Sequence, residues 1–192
     1  MRHARPLVDA GLCYGRQDVA ADAAHTRETA VRLARALPPG AMLRTSPRTR
    51  CRALADALAA LRPDLRPDAV DARLAEMDFG EWEGRRWDAI GAEALDAWTA
   101  DFAHHRPGGG ESVAAFMARV GGAFDALPAA ADSVWICHAG VARAAALLLQ
   151  GRRRIDHATD WPREGPDFGR WTVLALSADA GAGGTAGAPV SS

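Results

Sequence analysis

Apolar and polar positions along the chain fall into two alternating rhythms. Val134-Trp135-Ile136-Cys137 is an uninterrupted apolar run, followed at once by His138, Gly140 and an Ala/Leu-rich stretch ending near Gly151. Such a pattern reads as a buried strand, a tight loop and a helix. Ala41-Met42-Leu43 is a second, weaker strand leading into Thr45-Ser46-Pro47, where Ser46 suits an N-cap and Pro47 the first helical position. The helix predicted from there runs to about Leu61, with Leu54, Leu58 and Leu61 on one face and Pro63 as its stop. Further helices are predicted over about 22–37, 86–102 and 112–127, and Trp171 to Leu176 reads as a late strand. Strands alternating with helices predict an α/β fold with a largely parallel sheet. A single domain is expected over 1–177, and the Gly/Ala-rich tail over 178–192, with little to bury, is expected to be disordered.

Composition narrows the chemistry. All 23 basic residues among the 192 are Arg; there is no Lys and no Asn. The Walker phosphate loop, a Schiff-base lysine and an N-glycosylation acceptor are therefore excluded, and any anion held by a cationic side chain must be held by Arg or His. The net charge of -1 gives no general pull toward nucleic acid or an anionic membrane, and Arg152-Arg153-Arg154 reads as a solvated helix end. Three Cys (Cys13, Cys51, Cys137) with no close pair argue against a disulfide scaffold and make a reducing cytoplasm the default location. No apolar run reaches the roughly 20 residues that cross a bilayer, and no signal-peptide pattern opens the chain.

Open α/β sheets place ligands at the carboxyl ends of their strands, so polar residues just after strands are the first candidates. His138 follows the apolar run and precedes a helix N-terminus, whose free N–H groups suit an anion; it could equally be a structural histidine. Arg50 lies on the first turn after the other strand, where a guanidinium fork could grip phosphate oxygens or simply face solvent beside Arg48 and Arg52. Arg2-His3 open the chain. The segment 76–84 sets Glu76, Asp78, Glu81 and Glu83 among Phe79, Trp82 and two glycines. That is either a solvated turn or a loop that holds a carboxylic acid against apolar surface as a general acid. Two histidines, at least two arginines and an acid, without metal-ligand spacing such as H-E-x-x-H, suit phosphoryl transfer through a histidine nucleophile.

Four stretches in order, M-R-H-A-R, S-P-R-T-R-C, A-E-M-D-F-G-E-W-E-G and I-C-H-A-G-V, resemble the histidine phosphatase superfamily, also called phosphoglycerate-mutase-like. The match runs to about residue 176. It implies a three-layer sandwich, a mostly parallel central sheet with helices on both faces. Within the superfamily the chain looks most like α-ribazole phosphatases of cobalamin synthesis, through G-L-C-Y-G-R-Q-D at 11–18, E-M-D-F-G-E-W-E-G with R-W-D-A-I at 76–90, and A-W-T-A-D-F to R-P-G-G-G-E-S at 97–112. The resemblance implies His3 as the nucleophile that becomes phosphohistidine, with Arg2, Arg50 and His138 holding the phosphoryl group. Glu76 would be the proton donor and then the base for water, with Glu81 as the rival carboxylate. Tyr14, Gly15 and Arg16 would lie in the loop at the substrate mouth. No metal and no cofactor are implied, and the partner is a small phosphomonoester; nothing in the sequence sets the oligomeric state. The pH–rate optimum is expected to be mildly acidic to neutral, with Arg2 lowering the imidazole pKa of His3 by like-charge repulsion.

Three departures from the family pattern stand out. Met1 directly precedes Arg2, so the first strand reads as truncated, and the expectation is a misassigned start whose upstream codons would raise activity. Ala4 replaces the usual glycine after Arg-His, tolerable unless the position needs positive φ. A-A-D-A-A-H at 20–25 replaces the family's Pro-Leu-Thr…Gly stretch, although Asp22 can still cap a helix. The alternatives to an α-ribazole phosphatase are a broad-specificity phosphatase, a phosphoglycerate mutase, and a non-catalytic relative that only binds a phosphorylated ligand. Trp82, Trp87, Trp98 and Trp161 could wall a base-like leaving group or serve as core anchors.

Overall fold

The computed structural model describes residues 1–128, 131–176 and 190–191. Strand β1 (Met42–Thr45) lies between β2 (Arg66–Val70) and β3 (Ser133–Ile136), parallel to both. Beyond β3 the first residues add a further row. Arg2 stands opposite Cys137 in a parallel bridge, the Cys137 N–H donates to Met1 O (2.9 Å), and the His3 N–H donates to Cys137 O (3.0 Å). On the other side the Arg2 N–H reaches Arg170 O at 2.9 Å. His3 is thus fixed by backbone on both flanks.

Helices cover both faces. In α1 (Ala23–Ala36) the buried residues Thr26, Thr29, Ala30 and Leu33 recur at i, i+3, i+4 and i+7, the stripe of an amphipathic helix. With α2 (Thr49–Leu61) it closes one face over Leu43, Leu54, Leu58 and Ile136. On the opposite face α4 (Val113–Asp125) and α5 (Ala139–Leu149) pack Phe116, Val120, Val141 and Leu147 around Cys137. Neighbouring residues Ile136 and Cys137 feed opposite cores because successive strand side chains point to opposite faces. The result is the expected α/β three-layer arrangement, with a small parallel sheet. Between these layers and α3 (Ala92–Ala100), Cys13, Trp82 and Ile90 form a satellite cluster.

Several local expectations are corrected. Ser46 does not cap α2: the helix begins at Thr49, and its first turn is held from a distance by Asp18, which accepts from the Thr49 N–H and Oγ1–H at 2.7 Å each. Strand β2 was not anticipated. Its sequence R-P-D-A-V is broken by a proline, tolerated because β2 lies at the edge of the described sheet. The helix expected over 86–102 is divided: Gly91, at φ 93°, separates a single 3-10 turn (Trp87–Ala89) from α3. The late strand shrinks to β4 (Thr172–Val173), paired antiparallel with β5 (Val190–Ser191). The remainder of the tail expected to be disordered lies outside the described residues. Arg152, Arg153 and Arg154 pair with Asp160, Asp125 and Asp156 at the surface.

Candidate active site

The ends of β1 and β3 deliver the central groups. β3 runs into Cys137 and His138, and His138 is the N-cap residue of α5. β1 runs into Ser46, and in the first turn of α2 Arg50 points back beneath the same strand ends, fully buried. His3 and His138 are each 1% exposed, with ring centroids 5.2 Å apart.

The hydrogen bonds assign both tautomers. His3 Nδ1 lies 2.7 Å from Ala4 O, which can only accept, so Nδ1 carries the proton. Nε2 faces the Arg50 Nε–H at 3.3 Å and keeps its lone pair. His138 has the opposite arrangement: Nδ1 accepts from Arg50 Nη2 (3.3 Å) and Nε2–H donates to Ser46 Oγ (2.8 Å). This bond to His138 is what Ser46 makes in place of the expected helix cap. Burial first, then the Arg50 charge, brings the pKa of His3 down to about 3; Arg2 adds a smaller effect in the same direction. The sequence pointed to Arg2 and missed the larger cause. Burial likewise holds His138 well below the usual imidazole range, helped by His3 and Arg50. Ala4 fits without strain, since no described non-glycine residue has positive φ.

Arg50 is unusual in its partners. Its donors go to the two imidazoles, to Gly15 O (2.7 Å) and to Gln17 O (2.6 Å); none reaches a carboxylate. A buried cation without an acidic partner leaves charge to be matched, which is the electrostatic form of an anion site. Arg2 is half-buried, with Nη1 donating to Pro166 O (3.2 Å) and Cζ 3.6 Å above the Phe168 ring.

Arg2, His3, Tyr14, Gly15 and Glu76 all line one cavity of about 880 Å³, with Arg50 and His138 buried beside it. Glu76 is fixed by two backbone donors, the Met77 N–H to Oε1 and the Gly140 N–H to Oε2, both at 3.1 Å. Gly140 allows this approach: a Cβ there would fall 2.3 Å from Glu76 Oε1. Glu81 is exposed and does not line the cavity. Arg16 is not brought to it either; its guanidinium lies 3.4 Å from Asp78 on the outside of the loop. One wall is aromatic, built from Phe79, Trp87, Trp98, Phe102 and Trp161, whereas Trp82 packs behind it in the satellite cluster. Sequence reasoning missed Phe168 and Arg143. Arg143 lines the cavity and donates to Arg163 O and Glu164 O, at 3.1 and 3.2 Å. The signal was available for Arg143, the single charge in the helix A-G-V-A-R-A-A-A-L-L-L; Phe168 has no local signature.

The model of the histidine phosphatase superfamily (branch 1) matches residues 1–179, and the chain belongs to that family. Its chemistry is phosphatase- or mutase-like. Among solved structures it is similar to the protein TTHB049 from Thermus thermophilus, at 27% identity over 88% of each chain and a TM-score of 0.66. It is also similar to a mycobacterial glucosyl-3-phosphoglycerate phosphatase, at 25% identity over 89% of this chain and 85% of that one, with a TM-score of 0.69. A candidate α-ribazole-5'-phosphate phosphatase from Escherichia coli K-12 shares 25% identity over 90% of this chain and 86% of that one, with a TM-score of 0.71. No curated protein matches. Among the described residues no three His, Cys, Asp or Glu side chains are grouped to hold a metal ion, and no helix is long and apolar enough to cross a membrane.

Proposed function

We propose that the protein is a phosphomonoesterase working through phosphohistidine at His3. The observation that carries this is the neutral, Nδ1-protonated His3 with its Nε2 lone pair beside Arg50. A buried imidazole held neutral is a competent nucleophile at ordinary pH. Nε2 attacks phosphorus while the bond to the ester oxygen breaks. Glu76, lining the same cavity, gives its proton to the departing alkoxide. Arg2 and Arg50 offset the charge on the phosphoryl oxygens, with His138 beside them in the phosphate site, its lone pair turned to Arg50. Glu76 then takes a proton from water, whose oxygen displaces the imidazole, and the P–N bond breaks to release phosphate and neutral His3.

The substrate best suited to this cavity is a phosphomonoester with a flat, largely apolar leaving group, and α-ribazole 5'-phosphate is the one we favour. The aromatic wall supports this reading, as does the likeness to the Escherichia coli protein. A second reading, a phosphorylated sugar acid such as the mycobacterial relative handles, is favoured by Arg5, Arg143 and Arg163, which also line the cavity. Turnover of p-nitrophenyl phosphate by wild type and His3→Ala tests the chemistry. Loss of at least about a thousandfold is expected in the variant; turnover that survives it sinks the phosphohistidine route. A panel holding α-ribazole 5'-phosphate beside glucosyl-3-phosphoglycerate then ranks the two substrates by kcat/KM.

A further inference from the structure

The peptide joining Ala4 to Arg5 is engaged at both ends. Its carbonyl accepts the His3 Nδ1–H at 2.7 Å, and its N–H donates to Nδ1 of His25 at 3.1 Å. A backbone N–H can only donate, so Nδ1 of His25 is the unprotonated nitrogen and faces the peptide as a lone pair. His25 is itself held in the first turn of α1, its own N–H donating to Asp22 Oδ1 at 2.8 Å. The ring also lies against Gly169, where a Cβ would come within 2.9 Å of Nε2. Gly169 in turn donates its N–H to His3 O at 3.0 Å. One imidazole on α1 therefore touches two of the stretches of backbone that hold His3, and it comes from the 20–25 segment in which this chain departs from the family pattern.

We infer that His25 is a positioning residue for His3, acting through the Ala4–Arg5 peptide. The amide is planar and conjugated, so its C=O and N–H cannot turn independently. An acceptor on the N–H fixes the plane in which Ala4 O meets His3 Nδ1. It also polarises the amide, which makes that oxygen the better acceptor. A better acceptor at Nδ1 keeps the proton there and leaves Nε2 the more basic, attacking nitrogen. His25 and Arg5 also border a second groove of about 510 Å³, lined further by Glu28, Arg32 and Asp167. Water in that groove can take over part of the acceptor's role, so the effect on rate is graded.

The inference rests on His3 being the nucleophile, and its test separates the two ideas. Long-range 1H–15N correlation spectra of phosphate-free enzyme report the His3 tautomer without any turnover. Wild type is expected to show the single Nδ1–H form. His25→Leu, which fills the space without an acceptor, is expected to show a mixture of tautomers and a kcat for p-nitrophenyl phosphate lower by about three- to tenfold, the worth of one neutral hydrogen bond, with KM little changed. His25→Asn, which can place Oδ1 near the Nδ1 position, is expected to restore both. An unchanged His3 tautomer in His25→Leu overturns the inference, as does failure of His25→Asn to restore it. If His3→Ala still turns over substrate, the phosphohistidine reading falls instead, while the spectra still decide whether His25 governs His3.

Discussion

Arg50 illustrates how much of this site depends on the shape of a side chain rather than its charge. Its fork reaches both imidazoles and two carbonyls at once, from a position with no exposure. An ammonium on a flexible stem cannot serve four acceptors in those directions. Arg50→Lys is therefore expected to lower kcat/KM for p-nitrophenyl phosphate by at least about a hundredfold, in line with the loss of a preorganised donor. Arg153→Lys, at an exposed pair with Asp125, should leave the kinetics unchanged. Arg50 and His138 were legible in the sequence because each follows a strand, and Glu76 because its loop is rich in acids and aromatics, whereas His3, the third residue of the chain, was singled out through the family resemblance. Ser46, Arg143 and Phe168 were less so. What they do depends on partners 92, 20 and 166 residues away in the chain; a local pattern can mark a residue as unusual, as the lone charge of Arg143 does, but does not name its partner.

At the scale of elements, the loop bearing Glu76 is set by backbone against backbone. Gly80, at φ 53°, lies so close to the Pro107–Gly109 turn that a Cβ would fall 2.1 Å from Gly108 O. Gly80→Ala meets both the left-handed penalty and a rigid carbonyl, and is expected to cost about 3 kcal/mol in urea unfolding and to lower kcat through a displaced Glu76. Gly109→Ala, at φ 74° with nothing within 4 Å of the added methyl, is expected to cost only about 1 kcal/mol and to spare activity. A comparable loss in the two variants would argue that conformation, not contact, sets this loop. Periodicity found the long helices because an apolar stripe is a local property. It could not find β2, whose proline is acceptable only at an edge, nor the Asp18 cap, which arrives from another loop.

For the whole molecule, two neutral histidines in the interior tie stability to pH. In the unfolded chain an imidazole titrates near 6.5, whereas folded His3 does so at about 3 and His138 well below the usual range. Between those limits the unfolded state binds more protons. Stability is therefore full above about pH 6.5 and falls as the pH drops through that window, with a slope approaching about 1.4 kcal/mol per pH unit for each histidine. Urea unfolding at pH 7.5 and 5.0 should show the fall, and His3→Gln should make it shallower; equal slopes would place the titration elsewhere. The same burial keeps the free enzyme's nucleophile unprotonated through mildly acidic pH, so an acid limb in kcat/KM near pH 6 would have to come from another group.

The aromatic wall also has an optical meaning. Trp87, Trp98 and Trp161 line the cavity, and Trp82 touches the first two edge-on, with centroids 6.3 and 5.8 Å away. Four of the six indoles thus stand at or just behind this wall, while Trp135 and Trp171 do not line the cavity. An aryl leaving group stacked there would change the surroundings, and so the emission, of these indoles. The native chain is in that sense a label-free sensor, whose emission reports occupancy before any bond to phosphorus is made or broken.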